Sequence, residues 1–191
     1  MTEIGRDKVL RAALELFGRD GVASTTLSRL RQAGGVSVGS FYHHFAGKEE
    51  LVEALFVECV ELYQAAFVKE LRRYQDPREG VAAVVAFHVR WCMEHPDRAR
   101  FLFTERRPAG GELTDRNRAF FSEVRAWWRT HVHHGALPEL DLVTTFVLWL
   151  GPAQELCRLW LNGEIPTPGD HQIARLGRAA WRALEGDGDD R

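Results

Sequence analysis

From one end of this 191-residue chain to the other, apolar residues return every third or fourth position. The period-two alternation of a half-buried strand is nearly absent, which leaves an all-α fold. Glycine and proline set the breaks. Val9, Leu10, Ala13, Leu14 and Phe17 form one stripe, closed by Gly18 and a turn at Asp20-Gly21. Ser24-Thr25-Thr26 supplies hydroxyl caps for a second, short helix with Leu27, Leu30 and Ala33 inward, stopped by Gly34-Gly35. Ser37 caps a third helix, in which Phe41 and Phe45 share a face. Lys48 opens a long fourth helix with Glu49 and Glu50 at its positive end. Its stripe runs through Leu51, Leu55, Cys59, Leu62 and Ala66 to Leu71, and Asp76-Pro77 ends it.

The second half is helical too, with a heavier texture. Val81 to Phe87 is apolar without interruption, as in a helix buried on nearly all sides. A short segment from Asp97 to Glu105 follows Pro96, and Arg107 to Gly111 reads as a loop. One helix is expected from about Thr114 to His134 and another from Leu142 to Leu161, with a kink or break at Gly151-Pro152. Asn162-Gly163 is a stop, and a last helix covers about Asp170 to Leu184. The sum is about nine helices in two domains, 1–48 and 49–185, with the fourth helix serving both halves. A disordered tail is expected over 186–191.

Composition narrows the function. The apolar fraction of 45% and charged fraction of 27% are those of a globular protein, and a net charge of -2 gives no global attraction to polyanions. Yet Gly21 to Lys48 contains no Asp or Glu, while Arg29, Arg31, His43, His44 and Lys48 all fall inside it. Such an island suits an anionic partner. Cys59, Cys92 and Cys157 are odd in number and far apart, with no C-x-x-C spacing, so neither a zinc cluster nor a disulfide scaffold is indicated. No apolar run approaches the roughly 20 residues of a membrane span, and the polar N-terminus is unlike a signal peptide. The expected location is the cytoplasm, with no membrane partner.

Two short helices joined by a glycine turn, behind a supporting helix, is the helix-turn-helix plan. In "SVGSFYHHF" (Ser37 to Phe45) the residue types agree with contact to DNA. Thr25, Thr26 and Ser37 place hydroxyls and helix amides where phosphates are held. Tyr42 and His44 can donate to phosphate oxygens without disturbing Phe41 and Phe45. Val38, Gly39, Ser40 and His43 would face base edges, and Lys48 would clamp a phosphate. A metal site is disfavoured: adjacent histidines on a helix diverge by about 100°, and no third ligand stands at suitable spacing. A catalytic role lacks an acid to orient the histidine.

The run "RAALELFGRDGVASTTLSRLRQAGGVSVGSFYHHFAGKEEL" (Arg11 to Leu51) resembles the DNA-binding domain of the TetR family of transcriptional regulators. The shared features are Ala and Leu-Phe in helix one, a Thr pair, Gly-Val-Ser, Gly-Ser, aromatic-Tyr, His-Phe and Lys-Glu-x-Leu. Two positions depart from the pattern. Leu30-Arg31 stands where the family has Ile-Ala, so that Arg31 either points outward to an extra phosphate contact or tilts the helix, and Gly34 stands where it has Ala.

The resemblance implies a non-enzymatic, homodimeric regulator of double-stranded DNA, by family habit a repressor, whose helical C-terminal domain takes a small-molecule effector. No cofactor, catalytic residue or metal is implied. The last two long helices would dimerise, and their large apolar content supports a sticky face at Phe146, Trp149, Leu156, Trp160, Leu176, Ala180 and Leu184. Phe87, His88, Trp91, Phe103, Phe121 and Trp128 would line an apolar pocket, with Arg90 or Gln154 as further orienting groups, although aromatics at helical spacing serve equally as plain core. An alternative keeps the DNA-binding domain and gives the rest only dimerisation or protein recruitment. A helical enzyme with a metal on His131-x-His133-His134 is a third reading, undercut by the lack of a neighbouring carboxylate.

Overall fold

The computed structural model describes residues 2–105 and 112–185. The expected loop at Arg107–Gly111 and the tail at Gly186–Arg191 lie outside the described residues. Nine α-helices are present among the described residues: α1 Thr2–Asp20, α2 Leu27–Gly34, α3 Val38–His44, α4 Lys48–Leu71, α5 Pro77–Glu94, α6 Pro96–Thr104, α7 Glu112–His133, α8 Leu142–Leu161 and α9 Asp170–Leu184. They divide into two compact units. One takes the described parts of Met1–Leu62 and His95–Pro108, the other those of Tyr63–Glu94 and Ala109–Arg191. Helix α4 therefore contributes to both, and α6 joins the first unit although it follows α5 in sequence.

In the first unit α1 is the platform. Its Val9, Leu10, Ala13, Leu16 and Phe17 pack with Leu30 of α2, Phe41 and Phe45 around α3, Leu51, Leu55 and Cys59 of α4, and Phe101 of α6. Ala33, expected inward, is exposed, and the buried end of α2 is Gly34. The stripe of α4 loses one member as well: Leu62 is 47% exposed. At Gly18 the backbones come so close that a Cβ would stand 3.1 Å from Asp97 Cα, so α6 lies directly on α1.

The second unit is built on α5, α8 and α9 with α7. Three of its tryptophans satisfy their indole N–H on backbone carbonyls: Trp149 donates to Val81 at 3.0 Å, Trp127 to Tyr74 at 3.1 Å and Trp128 to Pro138 at 3.1 Å. Each ring can then fill the core without stranding a donor. Gly80 and Gly177 permit the closest approaches, a Cβ meeting Trp127 Cζ2 at 2.6 Å in one case and Ala82 Cα at 3.1 Å in the other. Pro152 sits inside α8, which runs on through it, so of the kink or break expected there the break is not made. Trp149 and Leu184 are wholly buried within the single chain, and Leu156 and Ala180 nearly so. They fill the core rather than form an exposed face, which corrects the expectation for those four; Phe146, Trp160 and Leu176 are half-buried. The apolar groups that α8 does expose are Val143 at 72% and Val147 at 59%.

Candidate nucleic-acid interface

The helix-turn-helix forms for local reasons. Thr26 caps α2, its hydroxyl oxygen accepting from Arg29 N at 3.3 Å. At the other end Gly35 adopts φ 60°, and the N–H groups of Gly35 and Val36 reach back to Gln32 O at 3.2 Å and Arg31 O at 3.0 Å. This closing pair needs a left-handed residue, which glycine supplies without steric cost. Ser37 then caps α3 by accepting from Ser40 N at 3.1 Å. Asp20 ties the end of α1 to α2, accepting from Arg19 at 2.9 Å and Arg29 at 2.6 Å. Hydrogen bonds from Arg19 and then Arg29 hold its carboxyl down at about 2. Arg29 is thereby committed within the protein.

Two aromatic anchors decide which side of α3 faces out. Phe41 is wholly buried and Phe45 nearly so, with ring centroids 5.9 Å apart. The opposite side is open: Val38 and Tyr42 are each 53% exposed, Gly39 and His43 are exposed, and nothing lies within 4 Å of where a Gly39 side chain would begin. Val38, Gly39, Tyr42 and His43 thus share one surface with exposed Ser37, while Ser40 is half-buried. Lys48 is half-buried at the start of α4, and Arg31 is half-buried in the last turn of α2.

Two residues differ from the sequence expectation. Thr25 is 1% exposed, and its hydroxyl donates to Gly21 O at 2.9 Å. That bond closes the turn after α1 and withdraws the hydroxyl from any phosphate. His44 is half-buried and leans on α1: a Cβ at Gly5 would stand 2.9 Å from its Nε2. The sequence showed a hydroxyl and an imidazole, but not which way each turns.

Of the six residues expected to line a pocket, Phe103 is on α6 in the first unit. The other five fall in the second, where His88, Trp91 and Trp128 are buried and Phe87 and Phe121 half-buried. Arg90, offered as an orienting group, is exposed and bonds Asp170 at 3.3 Å, and Gln154 is exposed. His131 is buried against Trp127, with rings 4.3 Å apart, whereas His133 and His134 are exposed. The three do not converge as a metal site. Among the described residues no helix is long and apolar enough to cross a membrane.

A helical unit that buries α1, α2 and α3 around one core and presents the outer side of α3 defines a helix-turn-helix protein. Residues 9–55 match the model of the bacterial regulatory proteins of the tetR family, which places that family's DNA-binding region on this part of the chain. Over 76 residues it is 32% identical to the HTH-type transcriptional regulator UidR of Escherichia coli K12, a match covering 40% of this chain and 35% of that one. The chain thus spans about a third of that relative's length. The fold extends further. A TetR family transcription regulator from Marinobacter aquaeolei VT8 superposes with a TM-score of 0.82 at 21% identity, covering 96% of this chain and 97% of that one. The regulator FadR of Bacillus subtilis, solved with stearoyl-CoA, gives 0.71 at 18%, covering 96% and 99%.

Proposed function

We propose that the chain is a DNA-binding transcriptional regulator that acts as a homodimer on a palindromic operator, a repressor released by a small apolar or aromatic effector. The observation that carries this reading is the outward surface of α3, with Val38, Gly39, Tyr42 and His43 open to solvent over the buried pair Phe41 and Phe45. In it Val38 meets a thymine methyl, His43 and Ser40 reach base edges, and Ser37, Thr26, Tyr42 and Lys48 hold phosphates. Arg31 adds a phosphate contact at the end of α2. Thr25 has no part, and His44 acts through its packing on α1.

Exposed Val143 and Val147, one turn apart on α8, support dimerisation there, with half-buried Phe146, Trp160 and Leu176 bordering the contact. A two-fold pair of recognition helices in successive grooves requires half-sites about 34–36 Å apart. An effector seated among Phe87, Trp91, Phe121 and Trp128 would release DNA by preferring a dimer with the wrong helix spacing. The fold shared with a regulator solved with stearoyl-CoA supports an apolar ligand. A second reading, dimerisation or protein recruitment alone, draws on the interlocked rings around Trp149, which meets Phe67 at 5.8 Å, Trp128 at 5.7 Å and Phe146 at 6.2 Å.

Selection of bound fragments from genomic DNA tests the core of the proposal. Enriched fragments should share an inverted repeat with that half-site spacing. Recovery of sequences with no common repeat would count against it.

A further inference from the structure

The function proposed above makes no use of the sulfur chemistry inside the second unit. His88 and Cys92, one turn apart on α5, meet Cys157 of α8 so that one ligand atom from each lies within 4.8 Å of the others. All three residues are buried. Sequence inspection for paired cysteines overlooks the arrangement, because two donors share a helix face as His-x-x-x-Cys and the third arrives from a distant helix.

We infer that His88, Cys92 and Cys157 form a binding site for a thiophilic divalent metal ion of the zinc class. Three features of the geometry bear on this. Bonds of about 2.3 Å to sulfur and 2.0–2.1 Å to nitrogen place tetrahedral ligands roughly 3.8 Å apart. The trio needs to close by at most about an ångström, within the reach of side-chain torsions. The imidazole is already oriented: Tyr63 Oη lies 2.7 Å from His88 Nδ1. With Nδ1–H donating to Tyr63, Nε2 is the nitrogen presented to the metal, the second-shell arrangement usual for a ligating histidine.

Charge selects the ion. Binding deprotonates both thiols, and two thiolates buried in an apolar unit require compensation. A divalent cation gives a neutral site, whereas a monovalent one leaves a net negative charge. Among the described residues the group supplies three His, Cys, Asp or Glu donors. Three protein donors is also the number in zinc sites that keep an open fourth place. The inference reassigns His88 from orienting an apolar effector to ligating a metal, and it stands whether or not the chain binds DNA.

Titration of the reduced, metal-free full-length protein with Co²⁺, followed by displacement with Zn²⁺, is the test. The expected result is intense near-ultraviolet thiolate-to-cobalt absorption with tetrahedral visible bands, saturating at a single equivalent and lost on adding Zn²⁺. Cys92→Ser and Cys157→Ser should each abolish the near-ultraviolet signature or cut it sharply. Cys59→Ser should leave it intact, since Cys59 belongs to the first unit and bonds Arg98 at 3.4 Å. Tyr63→Phe should retain the bands but weaken affinity about 10- to 100-fold, a change that mere misfolding would not give. Circular dichroism confirms that each variant is folded. The inference is overturned if folded wild type shows no thiolate–cobalt absorption, or if the absorption survives in folded Cys92→Ser and Cys157→Ser. It is equally overturned if the reduced protein ignores cobalt while mild oxidation joins Cys92 to Cys157, which would make the pair a redox dithiol.

Discussion

Thr25 and Thr26 are neighbours with opposite surroundings, and the difference is measurable. Thr25→Val keeps the shape but removes the hydroxyl that donates to Gly21 O; it should cost about 1 kcal/mol in denaturant unfolding and leave DNA affinity unchanged once folded. Thr26→Ala removes the cap of α2 and should cost a similar ~1 kcal/mol. Buried His131 has its own pH signature. Burial holds its imidazole below the ordinary 6.5, opposed by the charge of Asp76 and aided by His134. As pH falls below about 6.5, the unfolded chain takes up a proton that the folded chain resists, so stability declines. His131→Gln should flatten the decline in unfolding free energy between neutral pH and the acid side; an unchanged slope would mean that His131 is not its source. At this scale the sequence revealed chemical types well and directions poorly. Thr25 and Thr26 look equivalent in a string, and only packing after the α1 turn separates them.

At the scale of elements, glycines report how closely helices approach. A Cβ on Gly34 would lie 3.5 Å from Lys8 O and Val9 Cα, an ordinary contact. Gly34→Ala should therefore stabilise the first unit by about 0.4–1 kcal/mol, through lower unfolded-chain entropy and better helix propensity. Gly80→Ala should do the reverse, since its Cβ would collide with the Trp127 ring at 2.6 Å. A loss of about 1–3 kcal/mol is expected there. Thermal unfolding of the two variants checks both signs. Helix positions were largely legible because the 3.6-residue period and the Gly and Pro stops are local signals. Which helix covers which was not. Trp149 and Leu184 read as surplus apolar mass, whereas α5 and α8–α9 packing absorbs them in one chain. Pro152 likewise signals a kink or break, and α8 continues through it without a break.

For the whole molecule, the proposed function gives DNA reading to the first unit and dimerisation to the second. Replacing Val143 and Val147 together by Glu should shift the protein to monomer in sedimentation and weaken operator binding without unfolding it. A dimer unaffected by the change would move the interface elsewhere. The N-terminal quarter was the most legible part, because spacing, caps and the acid-free stretch all converge on one motif. The juxtaposition of His88 and Cys92 with Cys157 was hidden, since long-range contacts leave no periodic trace. The central claim concerns α3, and it is tested most directly by salt-titrated binding of wild type and Tyr42→Phe/Lys48→Ala to the selected palindrome. Wild type should bind tightly, with affinity falling steeply as salt rises. The double variant, still folded, should bind more weakly, with the salt slope reduced in magnitude by about 1 for the lost lysine–phosphate contact. Equal affinity and equal slope for the two proteins would contradict the account, and so would the absence of sequence-specific binding by wild type at any salt concentration.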